Sequence, residues 1–169
     1  MELFVLLVGI ILSFATSLGV GSSTIAIVNF FVAIADGNIE PTERRMMGIT
    51  YVILRIAMVL LFFTLAIMTG YTAYHSGAAV FSSLILAQWT ILTVLYVNAI
   101  LMTLRLMPST FGPGIQAGSW YALGTLAALT LYDVTEYSYV VFALGYITLL
   151  TLAVSIVNGV MAILKQKKA

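Results

Sequence analysis

The sequence predicts an all-α polytopic integral membrane bundle of five transmembrane helices, with the amino terminus outside and the carboxyl terminus inside. Three observations predict it. The 169 residues are 62% hydrophobic and only 8% charged, where a soluble domain carries about 25% charged residues, so a water-soluble fold is excluded. Polar or Gly/Pro punctuation divides the apolar sequence into five segments of 18 to 32 residues, against the roughly 20 that cross a hydrocarbon core of about 30 Å. All seven basic side chains fall on or near one side of those segments. Arg44 and Arg45 lie between the first and second, Arg105 lies between the third and fourth, and Lys165, Lys167 and Lys168 follow the fifth. Arg55 enters the second from the same side. Lys and Arg in short loops mark the cytoplasmic face, which sets the orientation and points to a prokaryotic inner (cytoplasmic) membrane. The loops are too short for a second folded unit, so residues 1–169 form one transmembrane domain.

The first span, 4–35, would be about 48 Å long as a helix, longer than the core it crosses. It is either a tilted helix that projects from the bilayer or one broken near Gly19-Val20-Gly21-Ser22-Ser23. A break at that depth is tolerated only where protein or water covers the freed backbone. Ala15, Gly19 and Ser23 recur every four residues, a small-residue face that lets a neighbouring helix approach closely. Glu2 is the only early charge and no basic segment precedes the apolar run, so a retained helix is expected rather than a cleaved signal. Asp36 to Arg45 is hydrophilic. Pro41 suits the first helical position of the next span, with Thr42 and Glu43 in its first turn. Asp36 to Glu43 also looks like the second half of a calcium loop, but Val32 and Ile34 would occupy ligand positions and cannot ligate the ion.

The second span is 46–70, followed by a short outer loop holding Tyr71, Tyr74 and His75. The third is 80–107 and stops at Pro108. Pro and Gly content makes 108–114 a loop. The fourth, 115–132, has the shortest apolar run, and Gly114, Gly118 and Ala122 form a small-residue stripe along its start. Asp133 to Glu136 makes an acidic outer turn before the fifth span, 137–164. Tyr71, Tyr74, Phe81, Tyr132, Tyr137 and Tyr139 cluster at the outer boundary, as an aromatic belt does. A four-span alternative with the fourth segment re-entrant would put the basic tail outside, against the charge rule.

Catalytic chemistry finds few residues to work with. Cysteine is absent and His75 is the only histidine, so neither bis-His haem ligation nor a zinc site can be assembled. A Ser76–His75–Asp133 arrangement has no motif to support it, and Asp133 with Glu136 reads as a solvated turn. Gly19-Val20-Gly21 lies in an apolar span and cannot serve as a phosphate loop. The methionines are scattered. The expectation is a protein that is not an enzyme and has no metal or cofactor. Its net charge of +1 gives no sign of nucleic acid as a partner.

The more informative constellation is one of depth. Arg55 lies about 13 Å inside the second span by helical rise, and Asn29, Asn98 and Asn158 lie at similar inner-leaflet depth in three other spans. A charge there costs about 2.5–3.5 kcal/mol unless it finds partners or water. The Asn carbonyls and Asp36 of the inner loop can satisfy Arg55, or the side chain can snorkel to the headgroups. The functional reading is a cytoplasm-facing polar pocket for an anionic or amide-bearing solute or a lipid headgroup. Gln88, Trp89, Thr90 and Thr93, with Thr64, could extend a polar track outward.

Leu18-Gly19-Val20-Gly21-Ser22 followed by Pro41-Thr42-Glu43-Arg44-Arg45 resembles the start of bacterial copper-resistance D type and related haem-associated membrane bundles. There a first helix ends in a glycine turn and leads through a polar loop to a second. The resemblance covers the first third of the chain and implies a helical membrane bundle. Leu12 or Ser13 stands where those families carry a first-helix histidine, so no haem or copper residue is carried over. The leading expectation is channel- or transporter-like passage or binding of a small solute by an oligomeric bundle, with membrane lipids as its surroundings. The second is an accessory subunit of a larger membrane complex, and the third a membrane haem or redox protein.

Overall fold

A computed structural model describes residues 2–36, 40–76, 82–134 and 136–166. Phe81, Lys167 and Lys168 lie outside these, as do the side chains of Asp36, Ser76 and Lys165. The described residues form five helices and no strand: α1 (Glu2–Asp36), α2 (Pro41–Ser76), α3 (Ser83–Thr103), α4 (Gly112–Leu131) and α5 (Tyr139–Gln166). Four of them, α1, α2, α3 and α5, are long and apolar enough to cross a membrane; α4 is not among them.

The helix ends differ from the sequence reading for local reasons. α1 is continuous for 35 residues, so the break near Gly19–Ser23 does not occur. α2 runs to Ser76, which places Tyr71, Tyr74 and His75 on helix rather than in a loop. Its last turn is held by the Thr72 hydroxyl on the Met68 carbonyl at 2.9 Å, and by the His75 ring, 3.0 Å from the Tyr71 carbonyl and stacked on the Tyr71 ring at 4.1 Å. At the other end Pro41 is the first helical residue, and the Glu43 carboxylate accepts the Glu40 N–H at 3.1 Å. That is the reciprocal half of a capping box.

α3 begins at a Ser82 cap, whose hydroxyl accepts the Ile85 N–H at 3.4 Å, and ends at Thr103, short of Pro108. It stops where Arg105 turns left-handed at φ 59°. The Leu106 N–H then donates to the Leu101 carbonyl at 2.8 Å and the Arg105 N–H to Met102 at 3.1 Å, the paired bonds of a Schellman cap. α4 starts at Gly112 with Pro113 in its first turn, so 112–114 are helix rather than loop. α4 ends by the same device. Asp133 adopts φ 57°, Val134 donates to Leu129 at 2.9 Å and Asp133 to Thr130 at 3.2 Å. An L-residue in that conformation costs roughly 1–2 kcal/mol that glycine avoids. Asp133→Gly is therefore expected to stabilise the protein by about 1 kcal/mol, read as a higher midpoint of thermal unfolding in detergent; a lower midpoint would contradict it.

Successive helices run in alternating directions. α1 and α2 form the most extensive interface. α4 packs against α1, α3 and α5, α5 also reaches α1 and α3, while α2 packs against α1 and α3 alone. α2 and α4 thus face each other across a seam without backbone-to-backbone packing. The position of α4 explains its composition: a helix pressed among helices needs small residues more than apolar ones. Nine of its 20 residues are buried, including Gly112, Gly114, Gly118 and Ser119. The outer surface of the bundle is apolar, with Phe14 69%, Phe63 59% and Leu144 63% exposed, as lipid-facing walls require. Arg44, Arg45 and Arg105 gather at one end (the basic end), and Tyr71, Tyr74, Tyr132 and Tyr139 at the other (the tyrosine end).

Candidate functional site

The seam between α2 and α4 is incompletely filled. Its middle is closed by a layer of wholly buried side chains: Ala57 and Leu61 from α2, Leu92 and Leu95 from α3, and Trp120 from α4, none more than 2% exposed. Gly19 makes the layer possible. A Cβ at that position would run into the six-membered ring of Trp120, so the small face of α1 exists to seat the indole. Ala15 and Ser23, on the same face, are 0% and 1% exposed.

A cavity lies on each side of this layer. Toward the tyrosine end, about 480 Å³ is lined by Gly9, Ser13 and Thr16 of α1, Leu61 and Leu65 of α2, Gln88 of α3, and Leu123 and Thr130 of α4. Toward the basic end, about 270 Å³ is lined by Tyr51, Leu54, Arg55 and Met58 of α2, Met102 and Thr103 of α3, and Gln116 of α4. Tyr51 and Gln116 also border a narrow cleft of about 20 Å³ that reaches Ser23 and Phe30 of α1. That is space for about one water molecule. On α2 the two larger cavities end at Leu61 and Met58, three residues or about 4.5 Å apart. On α4 they end at Leu123 and Gln116, seven residues or about 10 Å apart, so the barrier is thinnest at α2 and about two helical turns deep at α4.

The structure does not gather the expected polar layer around Arg55. Asn98 is 2% exposed and turns toward α4, where its amide donates to the Gly112 carbonyl at 3.1 Å and to Gln116 Oε1 at 3.0 Å. Asn158 donates to the Thr110 carbonyl at 2.8 Å and to Val154 at 3.0 Å, tying the α3–α4 connection to α5. The amide nitrogen of Asn29 is buried with no partner among the described residues. Asp36 closes α1, with its side chain outside the described atoms. Arg55 itself is exposed at the mouth of the basic-end cavity, and among the described residues no hydrogen bond or ion pair engages it. Of Arg55 and the three asparagines, Arg55 alone lines the cavity, beside Gln116, whose Oε1 accepts from Asn98; Asn158 is engaged by the α3–α4 connection.

Of the polar track, Gln88 lines the tyrosine-end cavity. Thr64, Thr90 and Thr93 return their hydroxyls to their own helices, each at 2.8 Å, and Trp89 donates to Thr69 at 3.0 Å. The stripe Gly114, Gly118 and Ala122 is buried, and its two glycines sit against Leu150, Ala153 and Val154 of α5. Beside it the Ser119 and Tyr146 hydroxyls share a buried hydrogen bond of 2.8 Å. Sequence reasoning missed Gln116, Trp120 and Tyr51. The available signal was a glutamine and a tryptophan within the shortest apolar run, on the one segment whose small residues implied burial on several sides. Among the described residues no group of His, Asp and Glu is placed to hold a metal ion.

The chain matches no protein-family model, no curated protein and no solved structure.

Proposed function

We propose that this is a non-enzymatic integral membrane protein that binds a small solute in the α2–α4 seam and passes it between the two faces of the membrane. In this reading α4 is the fifth crossing, the basic end is cytoplasmic, the amino terminus is outside, and the host is a prokaryotic inner membrane. One observation carries the proposal: two cavities occupy the same seam from opposite ends and a layer of wholly buried side chains, thinnest at α2, divides them. Access to one cavity at a time then requires only that this layer shift, because each half of a path already exists. Arg55 at the inner mouth, with the Gln116 amide behind it, favours an anionic or amide-bearing solute. The seam lies within one chain, so a path does not need a second copy.

The absence of cysteine permits a direct test. Gln88→Cys and Gln116→Cys, in vesicles of known orientation, are expected to react with a membrane-impermeant thiol reagent from opposite sides, Gln88→Cys from the tyrosine side and Gln116→Cys from the basic side. If neither reacts, the cavities are dry and the passage reading fails; if both react from one side, the orientation or the barrier is wrong.

A second reading, an accessory subunit or a self-associating one, is favoured by α5. Only 11% of its most apolar window is buried, against 22–33% for α1, α2 and α3. Isolation of the chain only together with a larger membrane complex would support the accessory role over autonomous passage.

A further inference from the structure

The basic-end cavity does not close on its α3 side. Arg55, Met58, Ala99 and Thr103 line it and also line a shallower groove of about 350 Å³ that continues outward between α2 and α3. The rim of that groove is apolar and open: Val59 is 47%, Ile100 55% and Leu104 60% exposed. It therefore faces sideways, toward lipid, and not out of the end of the bundle. The two helices part here for a steric reason. Phe62 of α2 meets Trp89 and Tyr96 of α3 edge-on, with ring centroids 5.8 and 6.2 Å apart, which wedges the helices apart toward the tyrosine end. The Tyr96 hydroxyl anchors the wedge on the Met58 carbonyl at 3.2 Å. Beyond the wedge the small Ala99 and Thr103 of α3 leave the gap open, with Ile100 and Leu104 at its rim.

The cation in this groove has no partner among the described residues. Arg44, Gly48, Tyr51 and Arg55 follow one another at four-, three- and four-residue steps along α2, which puts them on one stripe of the helix. Gly48 has open space where a side chain would stand, so an uncovered lane runs from the start of α2 to Arg55. An unpartnered charge inside a span costs about 2.5–3.5 kcal/mol, and a guanidinium fork fits two phosphate oxygens at once. A free anion would gain nothing from apolar walls, whereas a phospholipid uses both features.

We propose that the α2–α3 groove is a binding site for one anionic phospholipid of the leaflet at the basic end. Its phosphate meets the Arg55 guanidinium, and an acyl chain lies along Val59, Tyr96 and Ile100. The lipid closes the side entrance of the basic-end cavity. The site depends on Arg55 and the groove, and it stands whether or not the seam passes a solute; the cysteine-labelling test bears only on passage.

Native mass spectrometry of the purified chain in neutral detergent tests the site. The probes are phosphatidylglycerol, phosphatidylcholine of matched chains, and inorganic phosphate. One phosphatidylglycerol is expected to bind with at least a tenfold preference over phosphatidylcholine. Arg55→Gln is expected to abolish the preference, Arg55→Lys to keep part of it, and Arg45→Gln to leave it within twofold. Ala99→Phe, which fills the groove while keeping the cation, is expected to lower phosphatidylglycerol binding at least fivefold. Equal binding of the two lipids, or equal losses in Arg45→Gln and Arg55→Gln, overturns the proposal. Displacement of the lipid by millimolar inorganic phosphate also overturns it, in favour of a soluble anion.

Discussion

Trp120→Ala is expected to join the two cavities into one continuous seam. The indole is wholly buried, it stands on α4 between Gln116 and Leu123, which line the two cavities, and its ring is seated on Gly19. Loss of a buried Trp side chain costs about 3–5 kcal/mol through lost burial and the void left behind. The variant should therefore be both markedly less stable and leaky. Its indole N–H has no hydrogen-bond partner among the described residues, and burying such a donor costs about 1–3 kcal/mol. Trp120→Phe removes that donor while keeping a ring against Gly19, so it should retain most of the stability and most of the barrier. Both can be read in vesicles carrying Gln88→Cys. In the Trp120→Ala background the thiol should become reachable from the basic side, and in the Trp120→Phe background it should not. Unchanged one-sided labelling in Trp120→Ala would mean that Leu61, Leu92 and Leu95 hold the barrier without the indole.

The second large effect concerns the α4–α5 interface and contrasts two glycines. A methyl group at Gly114 would lie 2.7 Å from the Val154 Cα and 3.0 Å from its backbone nitrogen. Backbone cannot rotate away, so the helices must separate. At Gly118 the nearest atoms are the Leu150 Cδ2 at 3.0 Å and the Ala153 Cβ at 3.1 Å, and the leucine can turn. Overpacking costs roughly 1–3 kcal/mol. Gly114→Ala should fall at or above the top of that range, and Gly118→Ala near the bottom. Gly114→Ala also strains the neighbouring tie between Asn158 and the Thr110 carbonyl. Thermal unfolding in detergent compares the two directly. Leu150→Ala should restore most of the loss in Gly118→Ala, whereas Val154→Ala should restore little in Gly114→Ala because the Cα remains. Equal destabilisation of the two variants would show that α4 and α5 slide freely at this interface.

Hydropathy located α1, α2, α3 and α5, and it located them for a physical reason: a long apolar run has few other ways to be stable. It did not locate their ends. His75 and Tyr74 looked like loop because they are polar or aromatic at a boundary, yet a carbonyl contact and a ring stack carry α2 through them. Gly112 and Gly114 looked like loop because glycine usually is, whereas here they let α4 approach Met102 and Val154. The position of Asn98 and Asn158 toward the basic ends of their helices, and of Arg55 on the basic half of α2, was legible by counting residues. Their directions were not. A helix apolar on every side gives no periodic signal of how it is rotated, and rotation decides that Asn98 faces Gln116 while Asn158 faces the Thr110 carbonyl. The same blindness hid the seam, since a cavity between α2 and α4 depends on which helices do not touch.

The protein has only two tryptophans, and one of them sits at the boundary between the two cavities. Trp89 stands apart on the α2–α3 face, bonded to Thr69. Once it is replaced by phenylalanine, all indole emission comes from residue 120, and its colour follows the local hydration: blue while the boundary stays dry, red as water arrives. The molecule thus carries its own optical gauge of the event that any passage through it would require, readable in intact bilayers without an added label.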